Sequence, residues 1–279
     1  MAKKTSSTAV TQHAAKPAIQ GSTAVTEIPK DWIDDAGAGF EGADRDSYAI
    51  PFLTLLQSNS PQCKKSDGAY IEGAEEGAFL NTVSNEVYDG DEGVLLVPVT
   101  FRRVFVEWAP RETGGGFVKE HSVADAANIE TEIREFEGGA KRVCRTDNGN
   151  IIADTRLHYC MQVEEETGTW APIVLSFTST QIKKSRNWMS AMSRMTVNTD
   201  RGPVTLPMFC HVYRVTSAAE SNAKGSWMGF NLERHGDVKS AALYAACKTF
   251  REQVNAGAVK TQNPEVMGDV IDAETGEKF

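Results

Sequence analysis

The most strand-like pattern in the chain is VLLVPVTFRRVFVEW, from Val94 to Trp108. Pro98 cannot donate to a ladder, so a bulge or an edge is expected there. From Thr100 the alternation puts Phe101, Arg103, Phe105 and Glu107 on one face. Arg102, Val104, Val106 and Trp108 fall on the other. Three hairpins follow the same logic. Lys141–Arg145 and Ile151–Ile152 flank the turn Asp147-Asn148-Gly149-Asn150. Thr155–Glu164 and Thr169–Phe177 flank Glu165-Glu166-Thr167-Gly168, and Leu206–Val215 and Ser226–Leu232 flank Ser221–Gly225. Gly236 is expected to end that last strand. Phe79–Val83 and Glu86–Tyr88 read as two more strands joined by Ser84-Asn85. Turn signals recur roughly every 8–12 residues, as in small barrels.

Helical periodicity is rarer. The apolar run Ile173–Phe177 passes through Thr178-Ser179-Thr180-Gln181, a hydroxyl-rich boundary that can cap a helix. In the helix expected next, Ile182, Trp188 or Met189, Met192 and Met195 share a stripe. Lys183, Lys184, Arg186 and Arg194 project largely outside it. Val238–Val254 predicts a second helix, with Val238, Leu243, Ala246, Cys247, Phe250 and Val254 on or near one stripe and Gly257 closing it. Val123–Phe136 reads as a charged helix ended by Gly138-Gly139. Tyr48–Gln57 reads as a short helix or buried segment before Asn59-Ser60-Pro61 breaks it. The fold class is therefore mainly β with a few helices (α+β), an antiparallel barrel with insertions. Residues 1–46 are expected to be a disordered, acidic arm, 47–258 a single β-rich domain, and 259–279 a flexible acidic tail.

Composition narrows the function classes. The chain has 279 residues, 41% hydrophobic and 24% charged, ordinary for a soluble domain with tails. No apolar run approaches the roughly 20 residues of a membrane helix, and the N-terminus lacks an apolar signal core. Five cysteines without CxxC spacing suit reduced thiols and a cytoplasmic location. His158-x-Cys160 and Cys210-His211 sit in strand-like alternation, where thiols pack, so no metal is expected. Pro110–Gly116 lacks phosphate-loop spacing, and Asp89–Glu92 reads as a polar turn rather than a cation site. No cofactor or catalytic constellation emerges, and the chain reads as a binding protein rather than an enzyme.

The net charge of −9 conceals segregation. Asp67–Glu92 holds eight acids and no base, while Pro172–Arg251 holds eleven bases and four acids. A basic third carrying aromatics points to a polyanion with stackable bases. The phosphate candidates are Lys183, Lys184, Arg186 and Arg194, joined by Arg102, Arg103, Arg214 and Lys224 beside aromatic residues. The stacking candidates are Phe105, Trp108, Trp188 and Trp227. Each also fits a structural role, as a solvated amphipathic helix with a core Trp or a sheet with an inner apolar face.

Asp269, Asp272, Glu274, Glu277 and Phe279 make an acidic C-terminal tail ending on an aromatic carboxylate. Such a tail resembles those of bacterial and T7-type phage single-stranded DNA-binding proteins. IKKSRNW after a strand, and the pair MFCHVYRV and KGSWMGFNL before a terminal helix, look like large phage-encoded OB-fold proteins. The resemblance implies an OB-like core, a role in DNA replication or recombination, and a tail that contacts partner proteins. Its expected partner is single-stranded DNA, with homo-oligomers possible and no membrane. The alternative is a phage virion structural or interaction protein without DNA affinity, and a nuclease or recombination enzyme is the third class.

Overall fold

In the computed structural model the described residues are 30–35, 37–43, 48–110, 116–136, 139–144, 149–222 and 225–259. The expected disordered arm up to Lys30, the acidic tail and Lys224 lie outside them, apart from Lys30 itself. The chain divides into two units, residues 1–43 and 44–279. The first carries a short helix, α1 (Lys30–Asp34).

In the second unit, the run Tyr48–Gln57 is extended around β1 (Leu53–Leu55), exposed at Tyr48 and mostly buried from Phe52 to Gln57. β1 pairs with β2 (Phe79–Asn81), and β2 with β3 (Val87–Tyr88), in a small antiparallel sheet. Asp89–Gly93 is the expected turn, closed by the Gly93 N–H donating to the Asp89 carbonyl at 2.9 Å. Gly93 sits at φ +70°, where a side chain is strained and would meet the Val215 carbonyl oxygen.

β4 (Val94–Trp108) has the bounds the pattern set. Its register against β8 (Ile151–Val163) shifts between Pro98 and Thr100, the bulge that a proline demands. Then come β5 (Phe117–Ser122) and the single-turn α2 (Val123–Ala126). The charged helix expected over Val123–Phe136 is not formed beyond that turn. Thr131–Phe136 is instead β6, a hairpin with β7 (Gly139–Cys144). A β-branched alternation, Thr131 and Ile133, wins once a partner strand is present.

β9 (Trp170–Thr178) returns along β8 in the predicted hairpin and leads into α3 (Ile182–Ser193). An unexpected ribbon follows, β10 (Thr196–Thr199) against β11 (Gly202–Thr205). β12 (His211–Asn222) and β13 (Gly225–Asp237) form the last hairpin. β13 runs on past Gly236, contrary to the expected break, because its pairing continues through Gly236 opposite Val212. α4 (Ala241–Asn255) starts at Ser240, whose hydroxyl accepts from the Leu243 N–H, and ends before Gly257 at φ +70°.

The main sheet runs β13-β12-β4-β8-β7-β6, with β5 added to β4 and β9 to β8, all antiparallel. The mainly β class with a few helices holds. Among the described residues no pairing joins β13 to β6, so the sheet is open rather than a closed barrel. Two cores lie on its two faces. Under α4, Val97, Val99, Val104, Val106, Leu157 and Tyr159 meet Leu243, Cys247, Phe250 and Val254. On the other face, Leu96, Cys160, Leu175 and Phe177 meet Trp188 and Met192 of α3 and residues of the small sheet. Among the described residues no helix is long and apolar enough to cross a membrane.

Candidate nucleic-acid interface

The strand alternation decides which cations of β4 face which core. Phe101, Arg103 and Phe105 pair with His158, Arg156 and Asp154 of β8, so these six side chains share one face. Arg102 pairs with Leu157 on the opposite face. Arg102 reaches across to donate to the Val254 carbonyl near the end of α4 and lies 5.7 Å over the Tyr159 ring. A cation on the last carbonyls of a helix complements its dipole, here at a carbonyl that already accepts from the Gly257 N–H at 3.0 Å. Arg102 is therefore a helix clamp, and its guanidinium is already bound.

Arg103 stays at the surface. Its Nε and Nη2 donate to the two carboxylate oxygens of Asp154 at 3.0 and 2.7 Å, and its guanidinium carbon lies 5.1 Å from the Phe105 ring. The Asp154 hydrogen bond is the main reason its pKa is raised further. Arg156, opposite Arg103, donates to the same carboxylate at 3.3 Å. Phe105 and Phe101 are partly exposed beside them.

α3 borders this face and is anchored by His158. The His158 ring stacks on Trp188 at 4.8 Å, meets Phe101 and Phe177 edge-on, and shares a 2.7 Å hydrogen bond with the buried Ser185 hydroxyl. Burial pushes its pKa down to about 3, so the ring is neutral. With Ser185, Trp188 and Met192 turned inward, Lys183, Arg186 and Arg194 are left exposed on the helix exterior. Among the described residues none of these three is in an ion pair.

The other expected residues separate from this surface. Trp188 is only 4% exposed and is packed by His158, Phe177 and Tyr213, so its ring is not open to a base. Lys184 ion-pairs with Glu220 and donates to the Phe230 carbonyl, which ties α3 to the β12–β13 hairpin. Trp227 is buried as well, and its indole N–H donates to the same Glu220 at 2.8 Å. Arg214 is held by the Glu92 carbonyl at 3.0 Å and by Glu165. Trp108 packs against the core under α4 and edge-on to Phe117. Lys224, Asp269, Asp272, Glu274, Glu277 and Phe279 lie outside the described residues.

The sequence reading missed Arg156, Asp154 and the His158–Ser185 anchor. Aligning Thr155–Glu164 antiparallel to Val94–Trp108 would have put Arg156 on the Arg103 face. The candidate surface that results is a sheet patch of Arg103, Arg156, Phe101 and Phe105, bordered by exposed cations of α3 that are in no ion pair among the described residues.

No curated protein and no solved structure matches the chain. A family model described as Pam3 phage gp34-like protein matches residues 20–260. That span is most of the 279 residues, and the chain belongs to the Pam3 phage gp34-like protein family.

Proposed function

We propose that this phage-family chain binds and protects single-stranded DNA, without catalysis, during replication or recombination. The observation that carries this reading is the exterior of α3. Lys183, Arg186 and Arg194 are exposed and unpaired among the described residues, next to a sheet face that presents Arg103 against Phe105. Free cations bind phosphates without first breaking an internal pair. Exposed rings beside them accept bases irrespective of sequence.

The test is fluorescence anisotropy of a labelled oligo-dT of about 30 nucleotides across a range of salt, with duplex as competitor. Tight binding that salt weakens and duplex does not displace is expected. Replacing Lys183, Arg186 and Arg194 together with Ala is expected to reduce the salt slope by about 2, since each phosphate contact to a single strand contributes about 0.7. No binding at low salt, even after removal of residues 260–279, would instead favour a virion structural or interaction protein.

A further inference from the structure

We propose that Arg156, with Arg103 and Arg186, forms a phosphate socket at the junction of the sheet and α3. The inference rests on the reading of this face as a nucleic-acid interface, and it names where one backbone phosphate sits.

Arg103 and Arg156 are direct cross-strand partners, which places their Cβ atoms about 5 Å apart. Like charges so placed repel unless an anion lies between them. Asp154 is that anion, but it is unequally shared. Arg103 takes both carboxylate oxygens at 3.0 and 2.7 Å, and Arg156 reaches one of them at 3.3 Å. The Arg156 side chain is 12% exposed, and its Nε–H is buried with no hydrogen-bond partner. An unsatisfied buried donor costs free energy, so the resting position of Arg156 is a poor one. A ligand that draws the guanidinium outward relieves it.

The third guanidinium comes from α3. The 2.7 Å bond between Ser185 and His158 fixes the helix over β8, and Arg186 follows Ser185 in the chain. Burial is the first cause holding the Arg156 pKa below that of a free arginine. The like charges of Arg103 and Arg186 act in the same direction, against the pull of Asp154. Three guanidiniums against one carboxylate leave a net of +2 (3 − 1) on the sheet–helix junction. A phosphodiester supplies charge and several acceptor oxygens to planar forks that Asp154 alone cannot fill. Phe105, 5.1 Å from Arg103, puts a ring next to that phosphate, where the base of the same nucleotide can stack.

The experiment follows the arginine Nε–H signals of the full chain by NMR while inorganic phosphate is added, with chloride at equal ionic strength as reference. The Arg156 and Arg103 signals are expected to shift to saturation with phosphate only, while those of Arg201 and Arg251 follow ionic strength. Arg156→Lys keeps the charge and loses the fork. It is expected to abolish the saturable shift and weaken oligo-dT binding about tenfold. A phosphate response at Arg156 no different from chloride overturns the socket, as does an Arg156→Lys chain that binds oligo-dT as tightly as wild type. Saturation by phosphate without oligo-dT binding upholds the socket and sinks the strand-binding reading. Oligo-dT binding through α3 without saturation at Arg156 does the reverse.

Discussion

Arg102 and Arg103 are neighbours in sequence and opposites in use. The face that holds Arg102 is closed: α4 covers it, and Arg102 is bound there to a helix carbonyl above a tyrosine ring. The face that holds Arg103 is closed where α3 and the small sheet cover it and again at its far end, where Glu107 and His121 are buried. Beyond α3 it carries Arg103, Arg156 and two partly exposed phenylalanines. The two faces share one strand and one alternation. What separates them is the reach of the covering helix, and the proposed site lies where the cover stops. Helix exteriors show the same contrast. On the exposed side of α4, Lys248 and Arg251 sit beside Glu252, whereas the exposed cations of α3 have no acid among them.

The largest effect should come from disturbing the cover itself. Trp188→Ala removes a buried ring that joins α3 to His158 and Phe177, and should cost about 3–5 kcal/mol in urea unfolding. A stability left unchanged, with only DNA affinity lost, would make Trp188 a stacking platform and erase the distinction between covered and open faces.

The His158 anchor makes a pH prediction. Its native pKa of about 3 lies below the ordinary value of 6.5. Between these the unfolded chain binds a proton that the native chain refuses, so stability should fall as pH drops below about 6.5. One such proton gives a slope of about 1.4 kcal/mol per pH unit. Urea unfolding from pH 7 to pH 4 should show this slope in wild type, and His158→Phe should flatten it. An equal slope in both chains would show that His158 accepts a proton in the native state.

The smallest effect sharpens the open face. Asp154→Asn leaves the shape and removes the one carboxylate that neutralises Arg103 and Arg156. Arg156 is 12% exposed and Asp154 24%, so losing the carboxylate leaves a largely buried cation without its anion, and stability should fall by about 1–3 kcal/mol. Oligo-dT affinity should rise a few-fold, measured by anisotropy at low salt. A fall in affinity would mean that Asp154 serves to aim the arginines rather than to mask them.

Much of this architecture was legible in the chain. Val94–Trp108 announced its own bounds because fifteen residues of apolar run and alternation admit one reading, and Pro98 marked its bulge. The hairpin at Gly168 was marked by its turn, while Asp147 and Asn148 of the other expected turn lie outside the described residues. Thr131–Phe136 was misread as helix because its charges suit either period and the strand is decided by its partner. The β10–β11 ribbon escaped notice because Thr, Asn and Gly give no alternation. At the interface, period two was enough to set Arg103 with Phe105. It could not reveal Arg156, whose place depends on register between segments about 50 positions apart. Nor could it tell an aromatic ring turned inward from one turned outward, so Trp188 and Trp227 looked like binding groups until their burial was seen.

The central claim is that one face of β4 is closed and the other binds a strand, and the adjacent arginines test it most directly. Arg102→Gln and Arg103→Gln should be measured side by side for oligo-dT binding across salt, with urea unfolding of each. Arg103→Gln is predicted to weaken binding and lower the salt slope by about 0.7 with little loss of stability. Arg102→Gln is predicted to bind as wild type and lose about 1–3 kcal/mol of stability. Equal losses of affinity, or a loss confined to Arg102→Gln, would contradict the account.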